Sequence, residues 1–389
     1  MNDTVPITPD VLRWARESAG LTVDDVVKKI NRKGVTHQVV EEWEEGFSCP
    51  TYSQLERLAY DLYKRPLALF FFPEPPEELS PKQSFRTLPE YEIDHLPSRM
   101  RMLLRKAGAF QMNLYELYDS ANSAKRNLVH DLSFKIEESE VNMAKQVREY
   151  LSITLDEQVG LKSTDDAFKF WREKLEELGI FIFKDAFKSD SFSGFCLYDD
   201  EFPVIYVNNS KSMTRQIFTL FHELAHLLFK TGGVDTRLDD YIDYIEGDAL
   251  QIEVLCNRFA GEFLVPSEDF SKRVSGSRID DALISELANT YHVSREVILR
   301  RFMDRGSVGQ EYYESKVAEW ASDKNGRKGS GGNYYSTQGA YLGVKYIEKA
   351  FSCYYKNQIT AERLADYLDV KVKNIDGMEA LLYRRGTAA

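Results

Sequence analysis

Phe218-Thr219-Leu220-Phe221-His222-Glu223-Leu224-Ala225-His226-Leu227-Leu228-Phe229 sets two imidazoles and a carboxylate within one turn of an apolar segment. The apolar residues at 218, 220, 221, 224 and 227–229 predict a helix buried in a core. Four residues advance a helix by about 400°, so His222 and His226 project from nearly one face, one pitch apart. That spacing suits two nitrogen ligands on one zinc ion. Glu223, rotated by about 100° from His222, can reach a water on the metal without ligating it. Burying two histidines and a Glu is costly unless something satisfies them, so a metal centre explains the segment better than a pair of hydrogen-bonded core histidines.

A catalytic zinc site needs a third protein ligand, with its fourth position left to water. The candidate is Glu253 in Gln251-Ile252-Glu253-Val254-Leu255-Cys256-Asn257-Arg258-Phe259-Ala260, where Ile252, Leu255, Cys256, Phe259 and Ala260 recur with helical period. Asn257, one turn on, is placed to hold a ligand carboxylate or the preceding helix from outside the metal's own ligand set. Cys256 is a softer rival ligand, although a small buried apolar role suits it better.

The run Arg215-Gln216-Ile217-Phe218-Thr219-Leu220-Phe221-His222-Glu223-Leu224-Ala225-His226-Leu227-Leu228, followed by Glu253 and Asn257-Arg258-Phe259-Ala260-Gly261-Glu262-Phe263-Leu264-Val265-Pro266, resembles the ImmA/IrrE family of metallopeptidases. Upstream, Gly194-Phe195 and Phe202-Pro203-Val204-Ile205-Tyr206-Val207-Asn208 look like that family's strand pair leading into the metal helix. The resemblance covers residues 160–305. It implies one Zn²⁺ per chain on His222, His226 and Glu253, with Glu223 as general base. The family often shows a further His four residues after the second ligand, and here that position is Lys230.

A chain of 389 residues with 43% hydrophobic residues supports two or three domains with real cores. Its longest apolar run, around Leu67-Ala68-Leu69-Phe70-Phe71-Phe72, is too short to span a bilayer, and the Phe70–Phe72 patch reads as core that docks its domain on the next. The first residues carry no basic start and no apolar stretch, so no secretory signal is expected. Four scattered cysteines fit a reducing cytoplasm. A net charge of −12 argues against broad affinity for nucleic acid or anionic membrane, while leaving room for a local DNA-reading surface.

Residues 1–72 supply a candidate for that surface. Helical patterns at 9–18, 23–30, 37–44, 52–62 and 67–72 are punctuated by Gly20 and by turns at 31–34 and 47–50, with Thr22, Thr36 and Thr51 as N-caps. The layout resembles the Xre family of helix-turn-helix domains, in which the third helix enters the major groove. That resemblance places Thr36, His37 and Gln38 towards bases of double-stranded DNA, and Lys28, Lys29, Arg32 and Lys33 towards phosphates. Glu41, Glu42, Glu44 and Glu45 crowd the same helix and oppose phosphate binding. A five-helix interaction module is the competing reading.

The prolines at 73, 75, 76 and 81 read as a connector over 73–93. Residues 94–305 then combine a helical section with the peptidase-like domain, and 306–389 form a helical carboxyl-terminal region. One helical face is expected from Met100, Leu103, Leu104, Ala107 and Phe110, and another from Val141, Ala144, Val147, Tyr150 and Leu151. Strands are expected at 180–183, 194–198 and 204–207. The acidic residues between 235 and 248 read as a solvated loop, 324–333 as a glycine-rich loop, and His292 as a packed turn residue. The fold class is multidomain and mainly α with a small mixed β-sheet: a five-helix amino-terminal domain, a zincin-like α+β domain and a helical end. The two resemblances together imply a cytoplasmic transcriptional regulator whose zinc endopeptidase domain cleaves a regulatory protein, a repressor or its own chain, in response to stress or phage-related signals. It would involve no membrane, and a palindromic operator if the chain forms a homodimer. The alternative is a DNA-binding repressor or antitoxin whose zinc is structural or sensory.

Overall fold

The computed structural model describes residues 4–76, 96–231, 234–236, 247–322 and 333–386. The chain divides into two compact units, Met1–Ser84 with Pro89–Gly108, and Phe85–Leu88 with Ala109–Ala389. Most of the expected connector, of the acidic loop and of the glycine-rich loop lies outside the described residues.

In the first unit, α1 (Pro9–Ser18), α2 (Val23–Ile30), α3 (His37–Glu45) and α4 (Tyr52–Arg57) enclose Val11, Leu12, Ala15, Val26, Ile30, Val40, Trp43 and Leu55. Thr22 caps α2 through a reciprocal pair with Asp25, and Thr36 caps α3 by accepting from the Val39 amide. Gly46, at φ +80°, ends α3. The expected single helix over 52–62 instead changes pitch: α4 gives way to a π-helical turn at Leu58–Tyr63. Its i→i+5 repeat brings Leu58 and Tyr63 to one side, and both are buried. The expected helix over 67–72 is a 3₁₀ segment, Leu67–Phe71. Of its aromatic patch only Phe70 enters the unit's own core, while Phe71 and Phe72 are each 49% exposed, so the patch is not uniformly core. Glu44, expected among the acids of α3 that oppose phosphate binding, is also buried: Arg16 Nε and Nη2 donate to its carboxylate at 2.7 and 2.8 Å, and Arg13 Nη2 donates to its carbonyl at 3.0 Å.

Helix α5 (Ser98–Leu117) contributes its first half to this unit and its second half to the other. The expected apolar face of α5, Met100 to Phe110, is buried. Then come α6 (Leu128–Asp131), α7 (Glu140–Leu151), α8 (Leu155–Val159) and α9 (Thr164–Glu177). On α7 the buried residues are Met143, Ala144, Val147 and Leu151. Val141, expected with them and spaced three residues before Ala144, is exposed in the first turn of the helix.

Strands β1 (Phe181–Asp185), β2 (Phe192–Leu197), β3 (Val204–Asn208) and β4 (Val234–Thr236) form one mixed sheet in the order β1-β3-β2-β4. β1 runs parallel to β3, and β2 is antiparallel to both β3 and β4. The first three strands are near-continuously apolar because both sheet faces are covered. On one side lie α10 (Met213–Leu228) and, beyond it, α11 (Asp248–Leu264). Every residue of α10 from Gln216 to Leu228 is buried, as an all-round apolar helix requires. On the other side Phe183 stacks on Phe110 at 4.4 Å and meets Tyr346 edge-on.

The chain continues through α12 (Ser267–Val274), α13 (Asp281–Tyr291), α14 (Arg295–Asp304) and α15 (Gln310–Ser322). His292 ends α13 in the left-handed region and is buried. Last come α16 (Tyr334–Leu342), α17 (Val344–Tyr355), α18 (Ala361–Tyr367) and α19 (Ile375–Gly386). This carboxyl-terminal region belongs to the second unit. Arg172 of α9 donates to the carbonyls of Ile182 on β1 and Ala340 on α16 while pairing with Glu176 at 2.8 Å, which ties helix, sheet and tail together.

Candidate metal centre

Helix α10 starts at a Ser212 cap and presents His222 and His226 one turn apart toward α11. Their Nε2 atoms approach to 3.1 Å, and Glu253 reaches across from α11. Glu253 Oε2 lies 3.5 Å from His222 Nε2, and Oε1 lies 3.2 Å from His226 Nε2. Among the described residues these three form a group able to hold a metal ion, with all ligand atoms within 4.8 Å of one another; Cys256 is not part of it. A tetrahedral ion with bonds of about 2.0–2.2 Å sets its ligands about 3.3–3.6 Å apart, so the spacing and the nitrogen–carboxylate donor set fit a small divalent ion.

All three side chains are buried, which makes an uncompensated arrangement costly. Burial opposes the charged form of His226, but a side-chain hydrogen bond with Cys256 and the charge of Glu253 outweigh it and hold its pKa well above that of an ordinary histidine. Burial pushes the Cys256 thiol up to about 11. At neutral pH Cys256 is therefore a thiol, in keeping with its apolar role.

Glu223 is fully buried and sits beneath β2, where a Cβ added to Gly194 would lie 3.8 Å from its Oε1. The same Cβ would stand 2.4 Å from Thr219 Cγ2 and 3.0 Å from the Tyr206 carbonyl, so only glycine lets the strand approach this closely. Asn257 acts on a histidine rather than on a carboxylate. Its Oδ1 faces His222 Nδ1 at 3.1 Å while its Nδ2 donates to the Glu253 carbonyl at 2.9 Å. The sequence reading missed Thr231, whose hydroxyl lies 3.3 Å from His226 Nδ1. The available signal was its place just past the end of the metal helix. Lys230 is exposed at φ +56° in the turn that ends α10.

Residues 175–303 match the Peptidase_M78 family model, the IrrE N-terminal-like domain. This metallopeptidase-type stretch contains the whole sheet and every residue of the centre. Over 153 residues the chain is 33% identical to a protein of Deinococcus deserti called "Radiation response metalloprotease IrrE", covering 38% of this chain and 53% of that one. A protein of the same description from Deinococcus radiodurans is 34% identical over 113 residues, 28% of this chain and 34% of that one. The match thus spans about half of the first relative's length and a third of the second's.

The residues expected to meet DNA are all exposed along the end of α2, the following turn and the start of α3. Thr36 is engaged as the cap of α3, and Gln38 Nε2 donates to Glu42 at 2.9 Å. His37 lies 3.7 Å from Asp24 and 3.2 Å from Glu41, and Arg32 donates to Ser53 at 3.2 Å. Lys28, Lys29 and Lys33 are exposed at the end of α2 and in the turn after it.

Proposed function

We propose that this chain is a zinc-dependent endopeptidase that makes a limited cut in a regulatory protein, and that its amino-terminal helices bring it to DNA. The observation that carries the enzymatic half is the convergence of His222, His226 and Glu253 beside a buried Glu223, within a stretch that matches a metallopeptidase family. The two histidines and Glu253 hold the ion. When bound, zinc supplies Lewis acidity and lowers the pKa of water. Glu223 accepts the proton of the attacking water and returns it to the leaving amine. The stress-related role follows from the description of the two relatives. The substrate class proposed is a repressor, or this chain itself. The four free cysteines fit action in the cytoplasm, and no helix among the described residues is long and apolar enough to cross a membrane.

The DNA half is supported by the succession of α2, turn and α3 with its exposed basic and amide side chains. Sequestering Glu44 inside the unit removes one of the four acids that oppose phosphate approach.

The test is direct. Purified protein is expected to carry about one zinc per chain. His222→Ala, His226→Ala and Glu253→Ala should each lose it, while Glu223→Gln keeps it and lowers turnover by about 10²-fold or more. Zinc retained in Glu253→Ala removes that residue from the ligand set. Cells in which wild type and Glu223→Gln derepress a reporter equally, with no cleaved fragment, show a structural or sensory zinc instead. For DNA, Gln38→Ala should relax base preference, and Lys28→Ala should weaken binding to all sequences and flatten its salt dependence. Full-length protein that shows no sequence preference at low salt marks the unit as an interaction module.

A further inference from the structure

Each ring of the centre meets, at its Nδ1, a side-chain oxygen that can only accept there. Thr231 Oγ1 donates to the His226 carbonyl at 3.1 Å, and a hydroxyl has one proton to give. The same oxygen faces His226 Nδ1 at 3.3 Å and can therefore only accept there, which requires Nδ1 to carry hydrogen. Asn257 reaches the same result for His222 by another route: its Nδ2 donates to the Glu253 carbonyl, which turns its amide oxygen, an acceptor only, to Nδ1.

We infer that Thr231 is a positioning residue that holds His226 as the Nδ1–H tautomer, leaving the Nε2 lone pair aimed at the metal position; this rests on the metal-centre reading above. Thr231 is itself held on three sides. Its amide donates to the His226 carbonyl at 2.9 Å, the left-handed Lys230 turns the chain back over the helix end, and Cys196 Sγ of β2 lies 3.9 Å from its carbonyl. A ligating imidazole whose far N–H is hydrogen-bonded is both oriented and made a better donor. The two rings are thus supported from different elements, His222 from α11 and His226 from the segment after α10.

The experiment uses the full chain loaded with Co²⁺ for spectroscopy and with Zn²⁺ for affinity. Each ligating imidazole bearing Nδ1–H gives its own exchangeable, hyperfine-shifted proton resonance. In Thr231→Val, which keeps the shape and removes the oxygen, one of the two resonances is expected to vanish by rapid exchange while the one supported by Asn257 persists. Zinc affinity by chelator competition should fall by about 10- to 100-fold, and Thr231→Ser should restore both. Persistence of both resonances with unchanged affinity in Thr231→Val overturns the role. Loss of the resonance in Cys256→Ala rather than Thr231→Val does the same, giving the contact to sulfur. Should Thr231→Val fail to fold, Thr231→Ser and Thr231→Ala decide, since only the first keeps the hydroxyl. A wild-type chain that takes up neither ion overturns the metal centre itself, whereas a loaded wild type beside an indifferent Thr231→Val overturns only the part given to Thr231.

Discussion

A metal ion entering between His222, His226 and Glu253 has to displace a proton that His226 holds more tightly than an ordinary histidine does, despite its burial. Proton and metal compete for the same Nε2 lone pair, so acid favours the proton and the apparent zinc affinity rises with pH. Each competing proton contributes about a tenfold change per pH unit below the group's folded pKa. Because that pKa is raised, the dependence is expected to extend above the usual histidine range rather than level off within it. Chelator competition from slightly acid to slightly alkaline pH measures this. A profile already flat at neutral pH would show that His226 carries no proton for the metal to displace.

At the scale of elements, β2 rests on α10 through Gly194. An added methyl group meets Thr219 Cγ2 and the Tyr206 carbonyl, one a movable side chain and the other strand backbone. Gly194→Ala is expected to cost about 1–3 kcal/mol, the usual penalty of overpacking, and to shift β2 against Glu223. Thr219→Ala in the same chain should recover part of the loss but not all, since the carbonyl contact remains. Thermal melts of the two single variants and the double variant check this, and strict additivity would rule out the clash. In the first unit, α1 and α3 are joined through Glu44 and Arg16 across the core. Removing one partner of such a pair leaves a buried charge, so Glu44→Ala should destabilise the unit by about 3–5 kcal/mol. Glu45→Ala, at an exposed neighbouring position, should change little. Equal melting of both variants would refute the buried pair.

The whole second unit depends on its carboxyl-terminal helices. They cover the face of the sheet opposite α10, where Phe183 meets Phe110 of α5 and Tyr346, and Arg172 locks α16 to β1. A chain ending after residue 322 would expose that aromatic face. It is therefore expected to melt lower, to bind a hydrophobic dye and to aggregate, even though every proposed metal ligand is retained. A truncated chain with the melting temperature of the full one would show that α16–α19 are dispensable.

Much of this was legible locally. The ring spacing on α10, the threonine caps of α2 and α3, the apolar strands and the buried face of α5 follow from helical or strand period and from cap chemistry, which act over a few residues. The change of pitch after Arg57, the exposure of Val141 and the burial of Glu44 were not legible, because each depends on which side of an element its neighbours cover. The same holds at the centre. By itself the sequence determined that two imidazoles and a carboxylate share one buried turn, and offered Glu253 as a third donor. Only the tertiary structure decided that Glu253 closes on both rings, that Asn257 serves His222, and that Thr231 serves His226. Periodicity carries no information on the distance between α10 and α11, nor on how a left-handed turn directs the residue after it. Those are set by packing between elements far apart in sequence.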